Sequence, residues 1–418
     1  MDMELTPILH KVRSLPTDIR DDRRRQTLLV VAAGWFLSLG IRLVFPVFIP
    51  QVVAEFEIGY DTAGVLLSLL WVGYALLQFP GGIVADRIGE RNVLVISNSI
   101  TILGLSGIAF APSFLMMALA TCLVGIGLGF YGTTGITVLS NTFPERSDVA
   151  ISISQATGSV GTATLPVISG FVAFYLGWRV GFAYLIPLFI VTAVGLWMVV
   201  PKSSSSVVEN ADHSVIDQIL AIKKTLFNWD ILLITTSFFC MLFVYQGATG
   251  FLPTYLVEVK GIQQDTSTLL FGLFFTTGML AQVSSGVLSE RFGRLVMLIS
   301  FAAVSVPAYL LLPLIDDTMA IVPIIILASA ILGFGPLAQA HLVDGLQDEF
   351  QGSIFGFVRT LAFGCSTVSP VIIGWLAQSG RFALAFRLLG TIACLASALV
   401  VLLLIKTRAG ATREYILD

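Results

Sequence analysis

Apolar residues run along this chain in twelve stretches of near-spanning length, each ended by charged, glycine or proline-containing segments. A bilayer core about 30 Å thick is crossed by about 20 helical residues, so each stretch predicts a membrane helix. The predicted spans lie at roughly 28–53, 62–85, 92–111, 114–140, 149–176, 180–200, 231–257, 267–289, 295–315, 319–342, 353–377 and 383–405. The one long polar stretch, from Pro201 to Asp230, separates the sixth span from the seventh and carries Ser203 to Ser206 with Glu209, Asp212, Asp217, Lys223 and Lys224. The organisation expected is therefore a tail over 1–27, a six-helix bundle over 28–200, a linker over 201–230, a second six-helix bundle over 231–405 and a tail over 406–418.

Composition supports the same class. Apolar residues make up 56% of the 418 and charged residues only 12%, against about 25% in a globular chain, which is too apolar for one soluble core. The expectation is an all-α, multi-pass integral membrane protein. Its four cysteines, Cys122, Cys240, Cys365 and Cys394, stand singly inside apolar runs, without the spacing of a disulfide frame or a zinc site. The first apolar run begins near Thr27 behind a polar, basic tail and is long enough to span, so no cleavable signal peptide is expected.

Basic residues set the orientation, because they are retained on the cytoplasmic side. With the N-terminus inside, 17 of the 23 Lys and Arg fall in cytoplasmic segments, and only Arg179, Lys260, Arg381 and Arg387 fall outside. Both termini are expected in the cytoplasm, and the membrane expected is the plasma (inner) membrane. Two arginines remain within spans, Arg42 in the first and Arg359 in the eleventh.

An internal repeat relates the halves. "GGIVADRIGER" (81–91) and "SGVLSERFGRL" (285–295) align at an offset of 204, matching Gly82 with Gly286, Asp86 with Glu290, Arg87 with Arg291 and Gly89 with Gly293. The same offset pairs Gln78 with Gln282, Pro166 with Pro370, and Gly170 with Gly374. Parallel six-span repeats of this kind place a solute site at their interface near the midplane.

The stretch from Gly82 to Arg91 resembles the loop signature of the major facilitator superfamily, G-x-x-x-D-R-x-G-R-R, with a second copy after span 8. Departures are Glu90 for the first basic residue of the closing pair, and Glu290 and Leu295 in the second copy. The resemblance implies the fold of that family: twelve helices in two pseudo-symmetric bundles, with spans 1, 4, 7 and 10 around a central cavity and 2, 5, 8 and 11 at the seam. It also implies a cytoplasmic gate built from Gly82, Asp86, Arg87, Gly89 and Arg91, with Glu290, Arg291, Gly293 and Arg294 in the second copy. A plain positive-inside loop with a tight glycine turn is the alternative.

In that arrangement Arg42 sits near the middle of span 1, and its repeat mate is Gln246 in span 7. Arg359 has Gln155 in span 5 as its mate. An arginine at a membrane midplane costs roughly 2.5–3.5 kcal/mol, so a cavity, partner or ligand must offset it. A guanidinium binds carboxylate or phosphate bidentately while staying charged, which makes Arg42 and Arg359 candidate anion ligands. Gln155, Gln246, Tyr131 and Tyr74 are expected beside them. The competing readings are bonds from Arg42 to carbonyls freed by Pro46 and Pro50, a packing or gating role for Arg359, and ordinary polar packing for the other four.

"GLGFYG" (127–132) fits G-x-G-x-x-G, but it lies inside an apolar span and follows no strand, so it predicts close helix packing and no dinucleotide site. No nucleophile with a nearby base and no metal-ligand cluster occurs within the spans, which disfavours an enzyme. No carboxylate falls mid-span, and His341 lies one turn from the end of span 10 beside Asp344. "FPER" (143–146) and "GWR" (177–179) are similar to the anion:cation symporter and carboxylate-carrier branches. The resemblance thus implies a secondary active or facilitative carrier of a small organic anion, working by alternating access. The alternatives are a carrier of a neutral solute such as a sugar, or a non-transporting receptor or scaffold. Expected partners are the bilayer, the anionic solute and a coupling ion, either H+ or a counter-anion. The chain is expected to be a monomer, without cofactor, metal or nucleic acid.

Overall fold

The computed structural model describes residues 22–202, 228–346 and 351–417, so the expected N-terminal tail up to 21 and the central linker over 203–227 lie outside the described residues. Within them the chain is helical, and twelve helices are long and apolar enough to cross a bilayer. Lipid offers the backbone no hydrogen bonds, so each spanning segment satisfies its own groups as a helix. The helices are α1 (Asp22–Phe56), α2 (Tyr60–Ile88), α3 (Glu90–Ala109), α4 (Phe114–Thr142), α5 (Ser147–Leu176), α6 (Trp178–Ala183 and Leu185–Val199), α7 (Trp229–Glu258), α8 (Gln264–Phe292), α9 (Arg294–Leu311), α10 (Thr318–Ala328 and Ile331–Asp344), α11 (Gln351–Ser366 and Val368–Gln378) and α12 (Phe382–Leu417).

Three helices that the hydropathy pattern predicts as continuous are broken. Pro370 has no N–H for Ser366, and α11 breaks at Thr367 just before it. Pro187 similarly follows the break in α6 at Tyr184. In α10 the break carries a tighter turn, with Ala330 donating to the Leu327 carbonyl at 3.2 Å and Gly333 to that of Ala330 at 3.0 Å. The proline at the repeat-related position of α5, Pro166, stays inside a continuous helix.

Within the first six helices α1 packs on α5, and α4 on both α2 and α3; within the last six α12 packs on α7 and α9. Small residues set these approaches. A Cβ at Gly161 would lie 2.2 Å from the Phe36 carbonyl oxygen, and one at Gly125 2.2 Å from that of Leu70. Two glycines of "GLGFYG" do the same work, Gly127 against Thr101 and Gly129 against the Tyr74 carbonyl. Buried polar bonds add to the packing: Ser97 donates to the Gly127 carbonyl at 2.7 Å, and the Asn98 amide to Thr192 Oγ1 at 3.1 Å. "GWR" also has a structural place, since the Trp178 indole and the Arg179 guanidinium both donate to Glu55, tying α6 to the end of α1.

The two six-helix units meet most closely at one end. We call the end where α1 begins and α12 finishes the terminal end, and the opposite one the distal end. Near the distal end a Cβ at Gly64 would lie 2.3 Å from the Pro370 carbonyl oxygen, and one at Gly374 2.3 Å from that of Tyr60. On the opposite flank a Cβ at Gly170 would meet Thr268 at 2.6 Å. Cross-unit hydrogen bonds among the described residues lie in this half too: Ser68 Oγ to the Thr367 carbonyl (2.6 Å), the Tyr60 amide to Gln378 Oε1 (2.8 Å), and Gln264 Nε2 to the Val47 carbonyl (2.8 Å). The break at Thr367 thus places its carbonyl where Ser68 can reach it. Toward the terminal end Gly286, Gly356 and Gly364 on the seam helices α8 and α11 face open space. The units are closed at the distal end and parted at the terminal end.

A side chain larger than hydrogen at Gly64 or Gly374 forces the distal contact apart, at about 1–3 kcal/mol for overpacking. Gly64→Val and Gly374→Val are each expected to lengthen the distance between spin labels at Glu57 and Ser379, on opposite units. An unchanged distance distribution in both would show that the seam does not depend on these glycines.

Candidate functional site

Parting at the terminal end leaves a cavity of about 490 Å³ between the units. It runs from Arg42, midway along α1, to Gln339 and Arg359 near the terminal ends of α10 and α11, and among the described residues no Asp or Glu lines it. The wall combines apolar and aromatic side chains from both units with a few neutral polar groups.

Arg42 is 5% exposed. Its Nε donates to the Ser38 carbonyl one turn earlier on α1 at 3.0 Å, so its bond goes to a carbonyl other than those that Pro46 and Pro50 free. The guanidinium lies over the Tyr74 ring at 3.8 Å, with Trp71 and Trp35 at 5.7 and 5.8 Å. Cation–π contacts in a desolvated setting contribute up to about 2 kcal/mol, which offsets part of the cost of burying the charge. Nη2 of Arg42 is buried with no hydrogen-bond partner among the described residues. Among the described residues the charge is therefore held by neutral groups, with Nη2 still unpartnered.

Of the six residues singled out for the site in the sequence, four line the cavity: Arg42, Tyr74, Gln155 and Arg359. Arg359 sits 5.6 Å from the Phe363 ring, and its Nε is buried without a partner. Gln155 accepts from Trp35 Nε1 at 2.9 Å, which fixes the indole that flanks Arg42. Gln246 and Tyr131 do not line the cavity. Gln246 is 1% exposed and turned into the bundle, and its neighbour Tyr245 takes the wall, because successive helical residues point about 100° apart. The rotation of α7 is set where Gly247 packs against Ser369 of α11 and Leu389 of α12. Tyr131 is fully buried between α1 and α4, stacks on Trp35 at 6.1 Å and donates to the Val31 carbonyl at 2.9 Å. Gly34 makes room for its hydroxyl.

The sequence reading did not single out Trp35, Trp71, Tyr245, Gln282, Gln339 or Phe363 as lining residues. A helical signal for some was present: Trp35, Leu39 and Arg42 share one face of α1, and Phe363 follows Arg359 by one turn. Gln282 was visible as the repeat mate of Gln78.

The sequence profile of the Major Facilitator Superfamily matches residues 30–369. The chain belongs to that family. Its twelve-helix fold agrees, with a TM-score of 0.77 to a crystal structure of a nucleoside transporter at 11% identity, covering 91% of this chain and 100% of that one. Among curated relatives, a hexuronate transporter of Bacillus subtilis (strain 168) is 24% identical over 84% of this chain and 88% of its own length. A cis,cis-muconate transport protein of Acinetobacter baylyi is 23% identical over 81% and 84%. The protein is thus a transporter of the Major Facilitator Superfamily and no enzyme.

In this transporter the duplicated signature forms the turns from α2 to α3 and from α8 to α9. Gly89 and Gly293 adopt φ of 85° and 88°, where a side chain would be strained, which accounts for the repeated glycine. The departure at Glu90 has a counterpart in the other unit. Glu90 accepts from Asn141 of α4 at 2.6 Å, while its repeat mate Arg294 pairs with Asp344 of α10, so the two turns are tied to pseudo-equivalent helix ends, one through a neutral amide and the other through an ion pair. Arg91 stacks over Trp197 of α6 at 4.3 Å. Arg87, Glu290 and Arg291 are exposed; Gly82 lies in α2, and the Asp86 side chain lies outside the described residues.

Removing the acceptor at Gln155 leaves the Trp35 indole N–H without its partner. Gln155→Leu is expected to lower stability by about 1–3 kcal/mol, read as an earlier midpoint in detergent unfolding, whereas Gln155→Glu keeps an acceptor and should hold Trp35 in place. Equal loss in both variants would mean that the bond does not order the wall.

Proposed function

We propose that this transporter carries a small organic anion, a carboxylate, by alternating access, with Arg42 as its principal ligand. The observation that carries the reading is the unpartnered Nη2 of Arg42 beside a cavity that no acidic side chain lines among the described residues. With Nε committed to Ser38, the terminal nitrogens are the edge left for a carboxylate, and such charge-assisted pairs are strong in a desolvated site. Gln155 and Tyr74 stand beside it, and Arg359 supplies a second charge from the other unit. A hexuronate and a muconate, the solutes in the names of two relatives, are both carboxylates. A sugar would suit Gln155, Gln282 and Gln339, but it leaves both guanidinium charges without a counter-charge.

The working cycle follows from the seam. With both termini cytoplasmic in the plasma membrane, as the basic residues indicate, the cavity faces the cytoplasm and the distal contacts of α2 with α11 and α5 with α8 close the outer route. Transport exchanges these contacts for closure at the terminal end, where the signature turns act as the gate: Asp86, Arg87 and Arg91 in one unit, Glu290, Arg291 and Arg294 in the other. Gly89 and Gly293 shape those turns, and Gly82 lies two turns earlier in α2.

Arg42→Lys keeps the charge and loses the fork. Affinity for a transported carboxylate is expected to fall by about 1–3 kcal/mol, and Arg42→Gln should lose more because the charge goes as well. Carboxylate uptake into liposomes, with binding measured on the same preparations, checks both. Undiminished affinity in the glutamine variant rules out Arg42 as the ligand, and a parent protein that moves no solute rules out transport.

Asp86→Asn is expected to slow turnover far more than it weakens binding, since the signature acts on conformational exchange away from the cavity. Unchanged uptake in correctly inserted protein would remove Asp86 from the gate.

A further inference from the structure

Among the described residues the cavity is lined by two guanidinium groups and no carboxylate. They come from opposite units, Arg42 from α1 and Arg359 from α11, and each keeps one buried nitrogen without a hydrogen-bond partner among the described residues. A short aromatic path joins them. Arg42 lies over Tyr74 at 3.8 Å, Tyr74 meets Phe363 edge-on at 6.5 Å, and Arg359 lies 5.6 Å from Phe363. Tyr74 belongs to the first unit and Phe363 to the second, so the path crosses the interface. Both rings line the cavity and give its wall an apolar surface.

A single carboxylate on Arg42 leaves Arg359 without a counter-charge. An unpaired charge in a partly dry cavity is costly, and two cations sharing such a cavity repel each other. One molecule with a carboxylate at each end removes both costs, and its middle must be compatible with aromatic surface. We infer that the preferred solute is a small organic dicarboxylate with an apolar or conjugated spacer, held by Arg42 at one end and Arg359 at the other. This deepens the anion-carrier reading and rests on it. The path through the two rings bounds the separation of the guanidinium groups. The solute that spans them is therefore a short one.

The arrangement also gives the second arginine a mechanical part. A dicarboxylate bridging α1 and α11 ties the two units together across the side that is open in this structure, so its binding energy differs between the parted and the closed arrangement, as a ligand that shifts a conformational equilibrium requires. A monocarboxylate touches one unit and lacks that difference.

The test uses the purified full-length protein and saturated mono- and dicarboxylates of equal carbon number, compared by ligand-induced thermal shift and by competition binding. Short dicarboxylates are expected to bind at least about tenfold more tightly than the matching monocarboxylates, and Arg359→Gln is expected to shrink that preference to within about threefold. Equal affinity for the two classes in the parent protein overturns the inference while leaving the anion carrier intact, and so does a preference that survives Arg359→Gln. Binding of neither class overturns the anion-carrier reading and this inference with it. The comparison in the parent needs no variant to fold.

Discussion

Backbone meets backbone where Gly64 lies under the Pro370 carbonyl and Gly374 under that of Tyr60, and the rest of the molecule is arranged around that contact. Two bundles of apolar helices gain no hydrophobic drive toward each other in lipid, whose chains are as apolar as leucine, so van der Waals fit and hydrogen bonds must hold them. Small residues supply the fit at the distal end, and Ser68, Gln264 and Gln378 supply the bonds. Because this closure occupies only half the depth of the bundle, the other half is left parted, and the cavity is that gap. The repeat makes the closure two-sided: α2 on α11 along one flank, α5 on α8 along the other.

Inside the gap the balance of forces on Arg42 decides what the cavity can hold. Its burial costs a few kcal/mol, which the Ser38 carbonyl and the Tyr74 face offset without neutralising the charge. An acidic partner would have settled the arginine permanently and ended its usefulness to an anion. Neutral partners hold the side chain in one orientation and leave its field in place. Trp35, fixed from one side by Gln155 and backed by Tyr131, keeps that orientation from the wall.

Much of this could be read from the chain before folding. Twelve spans, the repeat at an offset of 204, the paired signature turns and an arginine stranded in the first span all survive in the structure, and Gly89 and Gly293 show why their glycines recur. Repeat logic was less reliable for side chains. It pairs Arg42 with Gln246, yet only Arg42 reaches the cavity, and it pairs Pro166 with Pro370, yet only α11 breaks. Pseudo-symmetry of the backbone does not carry over to side chains, because each unit packs its own neighbours around the shared frame.

The division between what sequence determined and what folding decided follows from the bilayer. Where no water is available, a segment must satisfy its backbone by itself, so length and apolarity are enough to fix each helix, and both are properties of a local window of sequence. Which face of a helix looks into the cavity is fixed by contacts between residues far apart in the chain: Gly247 against Ser369, which turns Tyr245 inward and Gln246 away, or Gly34 against Tyr131, which draws that phenol behind the wall. An apolar helix surrounded by lipid and apolar neighbours carries little periodic signal for its own rotation. The sequence therefore determined the helices, their repeat and the buried charge, and only the packing of small residues across the bundle decided which side chains stand around it.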